Sequence, residues 1–317
     1  MILNTHTDIY KAIKPVKYIV DETGYGDFND LPDAINYIAG DITNRIGTIF
    51  VRQGQYTGMN IESGDWSGLS IIGDGWRTKI GNINLMTTCQ NIVLDNFEID
   101  FVKTNLPSWA GSFHGINFRN VTNALIRNIL VSNCTSSGFN MDTSNQIKFI
   151  YCVGDQQDTS NTSYYDAFAF QGGGDHYLFG CYAKNIQNRS GYYINSYNSI
   201  TNVIIEGSYA IDNATKGFYV NYYGSNTVNN VSLTNCKAHN NTDEDFYITN
   251  VNNINKTRII GCDTDGTIIV GGNNAIITEN TSNSMTIEGD GHIVKNNMTS
   301  ALTDNSTNSI VSDNKII

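Results

Sequence analysis

Proline and charged residues are scarce in this sequence. Its 317 residues include only 3 prolines, and charged side chains make up 15% of the chain, against about a quarter in an average soluble domain. Strong helix formers such as Ala, Leu, Glu and Lys are also few, whereas β-branched and aromatic residues are plentiful. This composition argues against a helical protein and favours an all-β fold, with 29 glycines available for short turns.

Long apolar runs and basic clusters are missing as well. No stretch approaches the roughly 18 apolar residues of a membrane span, so we expect no membrane insertion. The net charge is −11 and no basic stripe is present, so nucleic-acid binding is not expected. The first residues lack the cationic and apolar regions of a secretory signal. We therefore expect either a protein that stays inside the cell, or an extracellular or virion-associated one that leaves by lysis, by virion assembly or after removal of a signal.

A five-residue segment recurs through the middle of the chain. Each copy opens with Gly or Asp and continues with strand-like alternation, and the copies start 23, 28, 25, 26 and 28 residues apart. A repeat of this length predicts a solenoid, in which stacked coils share one continuous core. The copies lie at residues 115–119, 138–142, 166–170, 191–195, 217–221 and 245–249.

Cysteine follows the repeat. Five of the six cysteines end the apolar segments that lie between these copies, and a stacked column of buried side chains explains this pattern. Parallel neighbours in such a column have poor geometry for disulfides. No Cys-x-x-Cys pair occurs, so a zinc site is not expected. We predict free thiols and no required cofactor. The five residues are Cys134, Cys152, Cys181, Cys236 and Cys262.

The two ends of the chain differ from the middle. Residues 30–40 have the pattern of a short amphipathic helix, which would cap the first coil. Three isoleucines near the C-terminus are 17 residues apart, which predicts narrower coils there. We expect one domain over residues 1–317, made of a capping segment (1–47), main coils (48–262) and narrower coils (263–317). The last strand carries no predicted cap, so we expect a partner or a homo-oligomer, such as a trimer, at that end.

The opening segment and first coils resemble a known family. Residues 20–35 are Val-Asp-Glu-Thr-Gly-Tyr-Gly-Asp-Phe-Asn-Asp-Leu-Pro-Asp-Ala-Ile, a Gly-rich turn followed by a helix with Asp-Ala-Ile. Residues 49–56 are Ile-Phe-Val-Arg-Gln-Gly-Gln-Tyr, and residues 71–75 are Ile-Ile-Gly-Asp-Gly. These stretches resemble the pectate-lyase-like superfamily, and the resemblance covers essentially the whole chain. It implies a right-handed parallel β-helix and a polysaccharide or surface glycan as partner.

The superfamily includes polysaccharide lyases, polygalacturonase-like hydrolases, uronate epimerases, phage tail depolymerases and noncatalytic fibres. Three catalytic signatures of its members are missing from this chain. They are the Asp-Pro-His-Asp motif of epimerases, the Asp-Asp pair with Gly-His-Gly of polygalacturonases, and the Arg-x-Pro-x-x-Arg of pectate lyases. The resemblance therefore indicates a fold and leaves the chemistry open.

Strand alternation separates inner from outer positions in the five-residue copies. The second and fourth positions are apolar and should face the core, so the third and fifth should face outward. An outward stripe of aromatic rings beside amides is typical of a sugar platform; a stacking ladder or a covered face is the alternative. Arg119 and Asp142 would be neighbours, favouring an ion pair. The predicted substrate-binding residues are Phe168, Tyr219, Tyr247, Asn195 and Asn221, with Trp109 from an insertion.

Insertions at residues 103–114 and 155–165, and a bend at 184–189, should wall a groove beside this stripe. For hydrolysis, which needs two carboxyl groups, we pair Asp142 with Asp158 or Asp166. For a lyase or epimerase acting on a uronate polymer, the candidate residues are Tyr193, His114, Lys184 and Arg189, and calcium could bind at Asp155 and Asp158. A glycan-binding or purely structural virion, tail-fibre or surface-appendage protein is the noncatalytic alternative.

Overall fold

The computed structural model describes residues 16–40, 47–64, 66–100, 114–132, 134, 136–156, 166–249 and 252–317. Within them the chain forms 35 strands and one helix, and every strand pair is parallel. Each strand pairs with its counterpart in the next coil. For example, Ile116 pairs with Phe139, which lies 23 residues further along the chain. The predicted parallel β-helix is confirmed.

The main coils have three faces. The first face contains β1 (Val16–Val20), β2 (Thr48–Val51), β5 (Ser70–Gly73), β8 (Cys89–Asp95), β11 (Val121–Arg127), β14 (Ser144–Ile150), β17 (Gly173–Phe179), β20 (Ile200–Glu206), β23 (Val228–Thr234), β26 (Ile254–Asn255), β27 (Arg258–Ile260), β30 (Ile276–Thr278), β32 (Ile293–Lys295) and β34 (Ile310–Ser312). The second face contains β3 (Gly54–Tyr56), β6 (Thr78–Ile80), β9 (Glu98–Asp100), β12 (Leu130–Ser132), β15 (Val153–Asp155), β18 (Tyr182–Lys184), β21 (Tyr209–Ile211), β24 (Lys237–His239) and β28 (Asp263–Thr264). The third face contains β4 (Met59–Ile61), β7 (Ile83–Leu85), β10 (Ile116–Arg119), β13 (Phe139–Asp142), β16 (Phe168–Phe170), β19 (Tyr192–Ser196), β22 (Phe218–Tyr222), β25 (Phe246–Ile248) and β29 (Thr267–Val270).

The coils narrow towards the C-terminus. The strand β31 (Thr281–Ile287) pairs with both β28 and β29, so the second and third faces merge there. The strands β33 (Met298–Asp304) and β35 (Lys315–Ile316) continue this single face. On the first face, Ile276, Ile293 and Ile310 stand in register. Each of the last coils therefore has two strands instead of three.

The helix α1 (Leu31–Gly40) packs against β1 and β4 at the N-terminal end of the coils. Asp30 directly precedes it, and the Asp30 carboxylate accepts hydrogen bonds from the backbone N–H groups of Leu31 and Thr57. The predicted apolar stripe of the helix is buried, as expected for a cap. Its members are Leu31, Ala34, Ile35 and Ile38. Within the described residues, no helix is both long and apolar enough to cross a membrane.

The core of the third face is a stack of aromatic rings. Four successive ring pairs have centroids 4.5–4.9 Å apart and planes within 6° of parallel. Each pair contributes about 0.5–1.5 kcal/mol beyond the burial of its area. The stack fixes the register of five consecutive coils, because the rings meet only when the strands align. The rings belong to Phe139, Phe168, Tyr192, Phe218 and Phe246.

All six cysteines are buried free thiols, as predicted. The prediction that five cysteines share one repeat position is wrong for Cys134. This residue follows β12 on the second face, whereas the other four follow strands of the first face. In the coil that holds Cys134, the residue in register with Cys152 is Ile129, because Ile126 pairs with Phe149 three residues before Cys152. The other four occupy one inner corner between the first and second faces. In the narrow coils, Asn280, Asn297 and Asn314 take over this corner and hydrogen-bond to one another.

The residue before this corner has a left-handed backbone in ten successive coils, with φ between 52° and 64°. Gly and Asn tolerate this region best, and they fill most of these positions. Because the left-handed residue recurs at the same place, each coil turns at the same register point. The ten residues are Asn96, Asn128, Tyr151, Gly180, Gly207, Asn235, Gly261, Glu279, Asn296 and Asp313.

Candidate functional site

The outer surface of the third face carries a column of three tyrosines. Tyr193, Tyr219 and Tyr247 stand in register on neighbouring strands, with ring centroids 5.2 and 5.4 Å apart. Their planes are tilted by 32° and 33°, unlike the nearly parallel rings of the core. Tyr193 is mostly buried, and the other two rings are partly exposed.

The prediction that Phe168 extends this column outward is wrong. Phe168 is 0% exposed and lies between the core rings of Phe139 and Tyr192. The pairing of the strands shows that Ala169, not Phe168, is the neighbour of Tyr193 in the column. The segment had been placed one residue out of register, and such a slip exchanges the two faces of a strand. Phe170, predicted outward, is likewise buried.

A pocket of about 260 Å³ opens where the chain arrives from the second face and enters the third. Its lining combines one carboxyl group, two cations, two phenols and two hydroxyls. Most of these residues sit just before the strands or in their first outward position. They are Asp166, Arg189, Ser190, Tyr193, Thr215, Lys216 and Tyr219.

Asp166 is the carboxyl group of this pocket among the described residues. Its side chain is buried, its Oδ1 accepts a hydrogen bond from the backbone N–H of Ser190 at 3.1 Å, and Arg189 Nη1 lies 3.6 Å from its Oδ2. Burial raises the pKa of Asp166 to about 7, and the Arg189 charge and the Ser190 hydrogen bond offset only part of this effect. Asp166 can therefore gain or lose a proton near neutral pH.

Two cations stand over the tyrosine column. The Arg189 guanidinium carbon is 5.5 Å from the centroid of the Tyr193 ring. Lys216 Nζ is 5.3 Å from the Tyr219 centroid and 5.1 Å from the Tyr247 centroid. Lys216 also contacts Glu244 at 3.1 Å and Asp243 at 3.4 Å. Two cations thus stand beside the rings, and the carboxyl groups of Asp166, Asp243 and Glu244 lie against them.

Phenols and amides continue the site along the strands. Burial raises the pKa of the Tyr193 phenol, so this group stays protonated well above neutrality. The Asn221 amide donates to the Tyr193 hydroxyl at 3.5 Å and accepts from Thr249 at 3.1 Å. Asn195 is its neighbour in the same row, and it is 1% exposed with no hydrogen-bond partner for Oδ1.

Asp142 lies at the other end of the strands. It forms the predicted ion pair with Arg119, with 3.4 Å between Nε and Oδ2. In register, Asp142 is opposite Gln171, five residues beyond Asp166, which is about 16 Å along the strand. Inverting hydrolases hold their carboxyl groups about 6.5–9.5 Å apart. The predicted pair of Asp142 with Asp166 is therefore wrong, and Asp158 and Trp109 lie outside the described residues.

His114 and Lys184 are placed away from the lining of the pocket. His114 Nδ1 accepts the backbone N–H of Ser137 at 3.2 Å, in the same strand-entry position that Asp166 occupies two coils later. Burial lowers the pKa of His114 to about 4, so this side chain is a neutral structural acceptor at physiological pH. Lys184 lies on the second face and pairs with Asp155, with 2.9 Å between Nζ and Oδ2.

The predicted calcium ligand Asp155 is already engaged. Besides Lys184, it accepts a hydrogen bond from the Asn185 amide at 2.8 Å. Within the part of the chain that the structure describes, no group of three or more His, Cys, Asp or Glu side chains is arranged to hold a metal ion. The suggested second ligand, Asp158, is not among the described residues.

Lys216 was missed in the sequence, although a signal for it exists. It directly precedes the Gly that opens a five-residue copy, and in register it continues the strand-entry row of Asp166 and Ser190. Aligning the residues before each copy, and not only the copies themselves, would have placed it beside the tyrosines.

No protein-family model matches the chain, and no curated protein matches its sequence. Several solved structures share its fold. The A-module of the mannuronan C-5 epimerase AlgE4 of Azotobacter vinelandii aligns at a TM-score of 0.56 and 12% identity, over 91% of this chain and 96% of that one. A DFA-IIIase of Arthrobacter chlorophenolicus aligns at 0.58 and 12% identity, over 94% and 98%.

A tailspike protein of Escherichia coli bacteriophage HK620, solved in complex with a pentasaccharide, aligns at a TM-score of 0.56 and 11% identity. The alignment covers 90% of this chain but only 61% of the tailspike chain. At these identities the comparisons show the fold. The chain therefore has the right-handed parallel β-helix fold of these three proteins.

Proposed function

We propose that the protein binds an acidic polysaccharide on the third face and removes a proton from a uronate unit in the pocket. The observation that carries this proposal is the assembly of Asp166, Arg189, Tyr193 and Lys216 around one cavity. Similarity to an epimerase, a tailspike and a DFA-IIIase supports a polysaccharide as the ligand class. The cations beside the tyrosine column favour an acidic polymer over a neutral one.

The chemistry follows from the charges. The proton at C5 of a uronate is adjacent to its carboxylate, and neutralising that carboxylate with Arg189 and Lys216 makes the proton easier to remove. A base works best when its pKa is near the working pH, which the pKa of about 7 for Asp166 provides. Asp166 takes the proton, and the protonated Tyr193 phenol is the acid within the same pocket.

Two outcomes share this first step. In elimination, the electron pair of the C5–H bond forms a C4–C5 double bond, the C4–O bond breaks, and the departing oxygen takes the Tyr193 proton. In epimerisation, C5 receives a proton on its opposite side and the chain stays intact. Hydrolysis is less well supported, because the pocket lining within the described residues holds one carboxyl group instead of the two that a glycosidase uses.

The test is incubation with alginate, polygalacturonate and glycosaminoglycans in deuterated water. Unsaturated uronate absorbance together with new reducing ends would identify a lyase, and deuterium at C5 without cleavage would identify an epimerase. We expect Asp166→Asn to abolish either signal. Asp175→Asn, which removes a carboxylate from the first face, should leave it unchanged. Reducing ends without unsaturation would contradict the proposal and indicate hydrolysis.

Noncatalytic glycan recognition is the second candidate. It is favoured by the tyrosine column, which extends beyond the pocket to Tyr247, and by the ion pairs that already engage Lys216 and Arg189. In that case the same polymers would bind to the third face, and none of the three chemical signals would appear.

A further inference from the structure

A second pair of tyrosines lies at the corner where the third face turns towards the first. Tyr197 and Tyr223 are 49% and 61% exposed, with ring centroids 5.0 Å apart and planes tilted by 39°. Both belong to the same pattern, Tyr-x-Asn-x-Tyr, which occurs at residues 193–197 and 219–223 on paired strands. The outward positions of these two coils therefore carry rings, then amides, then rings again.

The corner that carries these rings is well ordered by hydrogen bonds. The backbone N–H of Tyr223 donates to Ser196 Oγ at 3.1 Å. The Asn226 amide donates to the carbonyl of Tyr197 at 2.7 Å and to that of Ser196 at 3.3 Å. The backbone N–H of Tyr197 donates to the Asn195 carbonyl at 2.9 Å. Exposed rings on such a fixed corner are pre-organised for a ligand, since little further ordering is needed on binding.

One amide between the two rows of rings is partly exposed. Asn221 reaches the Tyr193 hydroxyl only at 3.5 Å, whereas Asn195 is buried at 1% exposure. A partly exposed amide beside an aromatic surface is a candidate partner for a ligand hydroxyl. Rings that cover sugar faces and amides that take hydroxyls are the two contacts a glycan needs.

The two rows of rings are four residues apart, which is up to about 13 Å along an extended strand. One sugar ring cannot bridge this distance, but a short oligosaccharide can. The next coil towards the N-terminus offers no ring at these positions, because Ala169 is the neighbour of Tyr193 and only Gln171 and Gly172 lie between β16 and β17. The aromatic surface thus extends from the pocket across the strands, as well as along the axis of the coils.

We infer that Tyr197 and Tyr223 form a further sugar subsite, reached by a glycan that leaves the pocket along the strands of the third face. The inference rests on the proposed function, because the occupant is the same acidic polysaccharide. It adds a direction for the bound chain and a minimum length for full affinity. A disaccharide fills the pocket alone, whereas a hexasaccharide also reaches the corner.

The test compares the wild type with the double variant Tyr197→Ala/Tyr223→Ala. The probes are the disaccharides and hexasaccharides of galacturonate and of mannuronate, and binding is measured by titration calorimetry. We expect the hexasaccharide that the wild type binds to lose about tenfold in affinity in the variant. Disaccharide affinity should not change. The control Tyr182→Ala/Tyr209→Ala removes a stacked ring pair from the second face and should leave both affinities unchanged.

The possible failures are distinguishable. If the wild type binds the hexasaccharide and the corner variant binds it equally well, the subsite is overturned and the proposed function stands. Equal losses for disaccharide and hexasaccharide would also overturn it, because the rings would then act on the pocket. If the wild type binds none of the four oligosaccharides, the proposed function fails and the subsite with it. Thermal unfolding of both double variants separates these results from loss of folding.

Discussion

Arg189 approaches the buried carboxyl group of Asp166 without closing a tight ion pair, since Nη1 is 3.6 Å from Oδ2. The backbone N–H of Ser190 is the closer partner, at 3.1 Å from Oδ1. Burial therefore outweighs the attraction of the cation, and the pKa of Asp166 rises to about 7. The guanidinium carbon of Arg189 also lies 5.5 Å from the centroid of the Tyr193 ring, and both side chains line the pocket.

The protonation of Asp166 predicts a pH-dependent stability. Because its pKa is raised from 3.8 to about 7 in the folded state, the folded protein binds this proton more tightly than the unfolded chain. The contribution is fully present below the unfolded pKa and is lost as the pH rises through about 7. Between about pH 5 and pH 8 the free energy of unfolding should fall by about 3 kcal/mol from this group.

Denaturant unfolding of the wild type and of Asp166→Asn at these two pH values measures this contribution. Asparagine keeps the acceptor for Ser190 but does not titrate, so the variant should lose about that much less stability over the interval. An identical pH dependence in the two proteins would show that Asp166 does not titrate in this window.

The register of the third face predicts a large loss of stability on removal of one aromatic ring and a small loss on removal of another. Phe168→Ala removes a ring from the middle of the core stack and should lower the free energy of unfolding by about 3–5 kcal/mol. Tyr219→Ala removes a partly exposed outer ring and should cost much less stability, while it weakens glycan binding. Chemical denaturation and calorimetric titration of both variants give the comparison. A destabilised Tyr219 variant beside a stable Phe168 variant would contradict the register.

The cysteines should be unreactive in the folded protein. All six are buried and none forms a disulfide. Burial raises the pKa of the Cys181 thiol and that of the Cys236 thiol well above the usual value for cysteine. A thiol reagent should therefore label none of them at neutral pH, and all six after unfolding in denaturant. Reducing agents should leave the midpoint of thermal unfolding unchanged. Rapid labelling of the native protein would show that the corner opens locally.

The position of Lys216 over two rings predicts a charge-dependent affinity. We expect Lys216→Gln to weaken binding of uronate oligosaccharides about tenfold, since it removes a cation from beside the pocket. The loss should shrink at high salt, which screens exposed charges. Lys237→Gln removes an exposed cation from the second face and is the matched control. Equal losses in both variants would point to the overall charge of the protein instead of a local contact.

Periodicity predicted most of the fold. The spacing of the five-residue copies and the alternation within them located the strands of the third face, and the apolar stripe of Leu31 and Ala34 located the helix. These features depend on local pattern alone, because each coil repeats the contacts of its neighbour. The same argument predicted buried free thiols, and the structure confirms them.

Alternation could not set the register of the segment around Phe168. In Ala-Phe-Ala-Phe both sets of positions are apolar, so either set could face the core. Side-chain size decides which set faces the core. Phe168 and Phe170 are buried in register with Phe139 and Met141 of the preceding coil, where large side chains are needed to fill the core. The register of this segment therefore depends on side-chain volume in the neighbouring coil, which the apolar pattern does not encode.

The pocket was predicted only in part. Arg189, Tyr193 and Asp166 were named from the sequence, but Asp166 was joined to Asp142, which lies at the opposite end of the strands. Whether two residues on neighbouring coils meet depends on where each sits along its strand. That position follows from the length of the preceding turn, which varies from coil to coil.

The recurring left-handed corner makes each coil an interchangeable building block. Since ten successive coils turn at the same point, a gene could gain or lose one of these coils without shifting the strands on either side. Gaining a coil among those that carry the tyrosines would lengthen the aromatic surface by one ring, about 4.8 Å. The length of polymer that such a protein grips could therefore change in evolution by duplication of single coils, without redesign of the pocket.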